Sequence, residues 1–258
     1  MTVHLRGLGL LITRPAGQAG RLAQMIQGAG GEALLYPTIE IVDTDNPRAA
    51  QLLLASLKNF DRAIFVSANA VEKAFLLLSS SASWPQELPA AAIGMATADA
   101  LCERGIKNIL TPQAGFDSEA LLELPEFQSV INSRIVIFRG QGGRDTLKQT
   151  LTARGATVTY CECYRRLRPN IAEDKLVVWL KQKKIHAINV MSSESLSNLL
   201  QMAGDAAPAL KSISLVTHHP RVAQAAKDAG FTQVITSLPG NTALMAVLEA
   251  LSLGKLLA

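Results

Sequence analysis

The chain has 258 residues, of which 48% are apolar, 18% charged and 5% aromatic, and it carries a formal net charge of +4. That balance excludes disordered and fibrous classes and leaves room for one large domain or two of ordinary size. A modest positive charge with so few aromatics argues against a nucleic-acid binder, which shows a dense basic stripe, and suits a small or medium acidic ligand.

No apolar run approaches the roughly 18 uncharged residues of a membrane helix. The opening MTVHLRGLGL has neither the apolar core nor the cleavage site of a signal peptide, so the expected compartment is the cytoplasm, with no membrane partner. Cys102, Cys161 and Cys163 are too few for a disulfide framework. Cys161 and Cys163 share one face of a strand and read as buried apolar side chains. His218 and His219 are adjacent while His4 and His186 stand alone, so no metal site is expected.

Taken along the chain, LLIT at 10–13 is the first strand, followed by an amphipathic helix with Leu22, Met25 and Ile26 on one side and Gly28, Gly30 and Gly31 as stops. Tyr36-Pro37-Thr38 reads as extended chain because proline favours that backbone at itself and at its predecessor. Ala63 to Val66 is a short buried strand and Val71 to Leu78 has helical spacing. A third unit holds a strand ending at Ile93, a helix to Arg104, Gly105 as its C-cap and a further strand from Lys107 to Leu110.

The stretch IFRGQGGR at 137–144 resembles a nucleotide-binding loop, but Asp145 stands where the dinucleotide fingerprint needs its third glycine, and a carboxylate there would repel phosphate. No Gly-Lys-Ser/Thr follows. Tyr164 to Pro169 is a second extended crossover.

The chain is written twice. A shift of 125 residues lays LLITRP over IVIFRG, and without a gap carries Gly30 to Gly155, Ser67 to Ser192, Gly105 to Gly230, Thr111 to Thr236 and Gly115 to Gly240. Each half then holds three strand–helix units, and uncharged strands alternating with helices predict parallel sheets covered on both faces. The expected fold class is α/β, with two similar lobes related by internal duplication. The repeat alone leaves open whether the lobes are consecutive halves or exchange their first units. Crossovers at matched places favour the exchange.

In open parallel sheets, ligands bind beyond the carboxyl ends of the strands, where helix N-termini expose N–H groups. That rule selects Arg14, Ser67, Ala68, Asn69, Gly94 to Thr97, Arg139, Gly140 to Gly143, Ser192, Ser193 and His218 to Arg221, a set rich in residues that donate hydrogen bonds or leave amides accessible to carboxylates and phosphates. Any one of Ser67, Asn69 and Ser192 would serve equally as a plain N-cap. Two such rims opposed would enclose a cleft. The chain shows no nucleophile elbow, metal cluster or cofactor motif, so an enzyme built this way would hold a reactive substrate in shape and help one proton move.

LITRP, IFVSANAV with Ser67, AIGMATADAL with Thr97, the IFRGQGGRDTLKQTLTARGATV stretch leading to Tyr164, MSSESL and HPRVAQAAKDAG together resemble the uroporphyrinogen-III synthase family over nearly the whole chain. The resemblance implies a bilobed fold in which residues 1–36 and 170–258 form one lobe and 37–169 the other, joined by two linker strands. It implies a cofactor-independent lyase of heme and siroheme (tetrapyrrole) biosynthesis that closes hydroxymethylbilane with inversion of the last ring and loss of water. It also implies a monomer that takes its substrate from hydroxymethylbilane synthase. Tyr164 is the family's catalytic candidate, since a phenol keeps its proton at neutral pH and can donate to a departing hydroxyl. The family's small hydroxyl residues in the last unit are replaced here by His218-His219-Pro220-Arg221. The rival readings are a bilobed non-enzymatic module that binds an anion or other small molecule, and a nucleotide-sugar transferase.

Overall fold

The computed structural model describes residues 3–78, 83–113, 115, 117–171 and 173–254. Along the chain come β1 (Gly9–Ile12), α1 (Ala16–Gly28), β2 (Glu32–Leu35), β3 (Glu40–Asp43), α2 (Pro47–Ala55), β4 (Arg62–Phe65), α3 (Ala68–Leu77), β5 (Ala90–Ala92), α4 (Met95–Glu103) and β6 (Ile109–Leu110). There follow α5 (Ser118–Leu122), α6 (Pro125–Gln128), β7 (Arg134–Gly140), α7 (Thr146–Ala153), β8 (Thr157–Leu167), α8 (Glu173–Lys181) and β9 (Ala187–Asn189). The last elements are α9 (Ser193–Ala203), α10 (Ala207–Leu210), β10 (Ser214–Thr217), α11 (Pro220–Asp228), β11 (Val234–Thr236) and α12 (Asn241–Ser252).

The chain divides into a terminal unit, Met1–Glu40 with Leu167–Ala258, and a central unit, Ile41–Arg166. The terminal unit holds a five-stranded sheet in the order β11-β10-β9-β1-β2, and every neighbouring pair in it runs parallel. The central unit holds a six-stranded sheet in the order β3-β8-β7-β4-β5-β6, parallel from β8 to β6.

Successive side chains on a strand point to opposite faces, so a strand buried on both sides must be apolar throughout. In the terminal unit Leu10, Ile12 and Val216 face Leu22 and Ile26 of α1 and Leu244, Met245 and Leu248 of α12. Leu11, Ile188 and Leu215 face the opposite way, toward Leu196 and Leu199 of α9 and Val222 and Ala226 of α11. The central unit repeats the plan. Phe65, Ala92, Val136 and Phe138 pack with α2, α3 and α4, while Ile64, Ala91, Ile135 and Ile137 pack with α5, α6 and α7. Cys161 and Cys163 are both buried in the first of these layers, with their sulfurs 3.8 Å apart, and Cys102 is exposed. Among the described residues no helix is long and apolar enough to cross a membrane.

The helix expected over 71–78 starts three residues earlier, at Ala68, because the Ser67 hydroxyl accepts the Ala70 N–H and so caps the first turn. The extended stretch expected from Tyr164 is the end of a continuous strand, β8, that begins at Thr157.

Candidate functional site

Parallel pairing sends the carboxyl ends of β4, β5, β7 and β8 to one edge of the central sheet, where α3, α4 and α7 begin. Ser67, Ala68 and Asn69 lie at the start of α3, Thr97 in the first turn of α4, and Arg139 and Gly140 at the end of β7. Tyr164 joins them from β8. It is 2% exposed, and its hydroxyl lies 3.0 Å from Ser67 Oγ, the same oxygen that caps α3.

Gly140 makes that meeting possible. It pairs with Tyr164 across the β7–β8 register shift, and a Cβ on it would sit 2.7 Å from Cε2 and 2.8 Å from Cζ of the ring. The sequence singled out Gly140 for an accessible amide; the structure places it against the phenol ring. Arg166, two residues beyond Tyr164 and on the same strand face, has a guanidinium nitrogen 3.0 Å from that Cβ position. Arg165 points the other way, to the Asp43 carbonyl and the Asp45 carboxylate.

Arg139 is folded back into its own loop. Its guanidinium is 4.3 Å from the centre of the Tyr160 ring and donates to the Gly140 carbonyl, the Gly142 carbonyl and, at 3.1 Å, the Asp145 carboxylate. Gly142 and Gly143, at φ +69° and +96°, provide the left-handed turn that lets the loop close on it. The Tyr160 hydroxyl donates to the same Asp145 oxygen at 2.9 Å. Those two hydrogen bonds hold the Asp145 pKa below its ordinary value. Burial, followed by the bond to Asp145, pushes Tyr160 up to about 12. The loop that resembled a phosphate cradle is therefore a cage for an arginine, and Asp145 is its counter-charge.

The terminal sheet gathers its own rim from the ends of β1, β9 and β10. Ser192 caps α9 by accepting the Ser195 N–H, Ser193 opens that helix, and Arg221 is exposed in the first turn of α11. Arg14 donates from Nε to Asn189 Oδ1 at 3.1 Å and from Nη1 to Asn241 Oδ1 at 2.8 Å, with Nη2 3.8 Å from Met191 Sδ. Among the described residues it has no carboxylate within ion-pair distance, and burial lowers its pKa. Asn189 is itself buried and passes the link on, donating to the Val216 carbonyl at 3.2 Å. Beyond Val216 lies His218, whose Nδ1 is enclosed and has no hydrogen-bond partner among the described residues. Sequence reasoning placed His218 on this rim together with Arg221, but it did not find Asn189 or Asn241.

Helix N-termini usually carry an acid that complements the dipole. Here α1, α3, α4, α7, α11 and α12 have none in the first turn, whereas α5, α6 and α9 carry Glu119, Glu126 and Glu194 there. Hydroxyls, amides and guanidiniums on rims poor in acid can hold several anionic groups, and the Ser67–Tyr164 pair can move a proton.

Fold and rims together define a two-unit α/β protein whose parallel strands end in rims of hydrogen-bond donors. A family model described as Uroporphyrinogen-III synthase HemD matches residues 20–246. The chain belongs to the uroporphyrinogen-III synthase family. It is 34% identical over 194 residues to uroporphyrinogen-III synthase of Proteus mirabilis, covering 75% of this chain and 98% of the relative. It is 34% identical over 193 residues to the Escherichia coli protein of that name, covering 74% and 78%. Its fold matches that of a mutant uroporphyrinogen III synthase from the extremely thermophilic bacterium Thermus thermophilus with a TM-score of 0.65 at 16% identity, over 96% of this chain and 100% of the other. The Helicobacter pylori uroporphyrinogen-III synthetase matches with 0.58 at 16% identity, over 95% and 99%.

Proposed function

We propose that the chain converts hydroxymethylbilane to uroporphyrinogen III, closing the linear tetrapyrrole with inversion of its last ring and loss of water, without a cofactor. Family membership favours this over a binding module or a sugar transferase. Eight substrate carboxylates call for many donors, and hydroxyls, amides and guanidiniums at the strand ends support that reading. The pyrroles are electron-rich enough to drive loss of the terminal hydroxyl, which leaves the protein mainly with orientation and one proton to deliver.

The observation that carries the reading is the hydroxyl pair Tyr164–Ser67 at a strand end. If Ser67 donates to Tyr164, the phenol proton is free for the departing hydroxyl, and the negative charge growing on the phenol oxygen is met by the Ser67 hydrogen bond. Ser67, Ala68, Asn69, Thr97, Arg139, Gly140, Ser192, Ser193 and Arg221 are proposed to bind or frame the substrate, with Arg14 treated below. We also infer that the two units are duplicates with exchanged first segments, joined by residues around 37–43 and 164–169, and that the enzyme works as a cytoplasmic monomer accepting substrate from hydroxymethylbilane synthase.

The test is to supply freshly generated hydroxymethylbilane and separate type I from type III porphyrin isomers. The type III isomer in excess is expected, and type I alone at the spontaneous rate would refute the function. Tyr164→Phe is expected to lower kcat by about a hundredfold, the lower end of general-acid contributions, with KM nearly unchanged. A folded Tyr164→Phe protein with full turnover would remove the acid role and leave the synthase reading intact.

A further inference from the structure

We propose that Arg14, Asn241 and His218 form a carboxylate subsite on the rim of the terminal unit, taking one acetate or propionate side chain of the substrate. The proposal rests on the synthase reading above and narrows it to three side chains.

A guanidinium taken out of water needs a counter-charge, and among the described residues Arg14 has only neutral partners: two amide oxygens and a thioether sulfur. Of its five N–H groups those contacts use three, one on each nitrogen, which leaves one donor on each terminal nitrogen. Two free donors on a fork held from β1, β9 and α12 suit the two oxygens of a carboxylate. The equivalent arginine in the central unit, Arg139, is neutralised by Asp145. At the position matching Asp145, the terminal unit has Gly20. The same framework thus leaves one arginine satisfied and the other waiting for an anion.

His218 adds a directional donor. A proton on its enclosed Nδ1 would have no acceptor among the described residues, so the neutral ring carries its single hydrogen on Nε2. Burial first, and then the charges of His219 and Arg14, lower its pKa and keep it neutral. Asn189 fixes the spacing, since it accepts from Arg14 on one side of β9 and donates to Val216 on the other, two residues before His218. Around these groups α1, α11 and α12 begin without acids, and Glu194 is the acid in the first turn of α9.

The test compares full-length Arg14→Gln, Arg14→Lys and His218→Gln with the unchanged protein. The readouts are kcat and KM on hydroxymethylbilane, the Kd for uroporphyrin III from tryptophan fluorescence, and the isomer formed. Loss of a charge-assisted contact should raise KM and Kd for Arg14→Gln by roughly ten- to a hundredfold. His218→Gln should raise them about threefold or more, as loss of a neutral hydrogen bond does, with kcat changed far less and type III still formed. Arg14→Lys, which keeps the charge, should recover much of the loss. If Arg14→Gln does not fold, Arg14→Lys and His218→Gln carry the comparison. KM and Kd unchanged in the folded variants, with type III still formed, would overturn the subsite and leave the synthase reading standing. Type I alone from the unchanged protein would instead overturn that reading, and the subsite with it.

Discussion

Position 140 has room for no side chain, and that absence places a catalytic candidate. Built onto Gly140, a Cβ would press on two ring carbons of Tyr164, and a buried ring cannot yield as a flexible chain end would. Gly140→Ala should therefore cost about 1–3 kcal/mol by overpacking and also pull the phenol away from Ser67. Thermal melting and turnover measured together check this: Gly140→Ala lowers both, whereas Tyr164→Phe lowers turnover while largely keeping the melting temperature. An alanine variant that melts and turns over as the unchanged protein would show that the ring has slack. Arg139 shows what was hidden at this scale. Its position at a strand end was legible, but its fate depended on a left-handed turn that brings the Gly142 carbonyl and Asp145 back onto the guanidinium.

Where α9 meets the end of β1, three buried hydroxyls form a chain that fixes both. Thr13 donates to the Asn189 carbonyl at 2.7 Å, Ser195 Oγ lies 2.9 Å from Thr13 Oγ1, and Thr38 Oγ1 lies 2.7 Å from Ser195 Oγ. Thr38 follows Pro37, so the network pins the departing chain to the same point as the first turn of α9, one turn after Ser192. Ser195→Ala removes the middle hydroxyl while Thr13 keeps the Asn189 carbonyl and Thr38 keeps the Thr13 carbonyl at 3.2 Å, so the expected loss is about 0.5–1.5 kcal/mol, the net worth of a hydrogen bond. Urea denaturation measures it; a loss below about 0.5 kcal/mol, the bottom of the range for a hydrogen bond, would mean the network is slack. Central strands such as IVIF of β7 were readable because both faces are buried. β3, with the sequence EIVD at a sheet edge, has no such pattern and was missed. The start of α3 was legible from Ser67 as a helix cap, whereas apolar periodicity begins only at Val71.

Across the whole chain, the two sheets use equivalent strands in equivalent order. A shift of 125 residues carries β1 onto β7, β2 onto β8, and the β4, β5 and β6 segments onto β9, β10 and β11. The terminal order β11-β10-β9-β1-β2 then corresponds to β6-β5-β4-β7-β8, with β3 added at the edge of the central sheet. Each sheet draws strands from both halves of the sequence, so spacing along the chain could reveal strand–helix units but not their pairing, which the contacts of β1 with β9 and of β4 with β7 set. A physical consequence follows for fragments. Residues 41–166 carry the six strands of their sheet, with β3 and β8 each short of one end residue, and both apolar layers, enough for a domain to fold alone. A cut at the repeat boundary, giving 1–125, leaves β1 without β9 and β4 without β7, with the apolar faces of both exposed. The 41–166 fragment should therefore show α/β circular dichroism and one cooperative urea transition, while 1–125 should aggregate or remain unfolded. Cooperative folding of 1–125 with a disordered 41–166 would mean that the consecutive halves, rather than the exchanged units, are the folding domains.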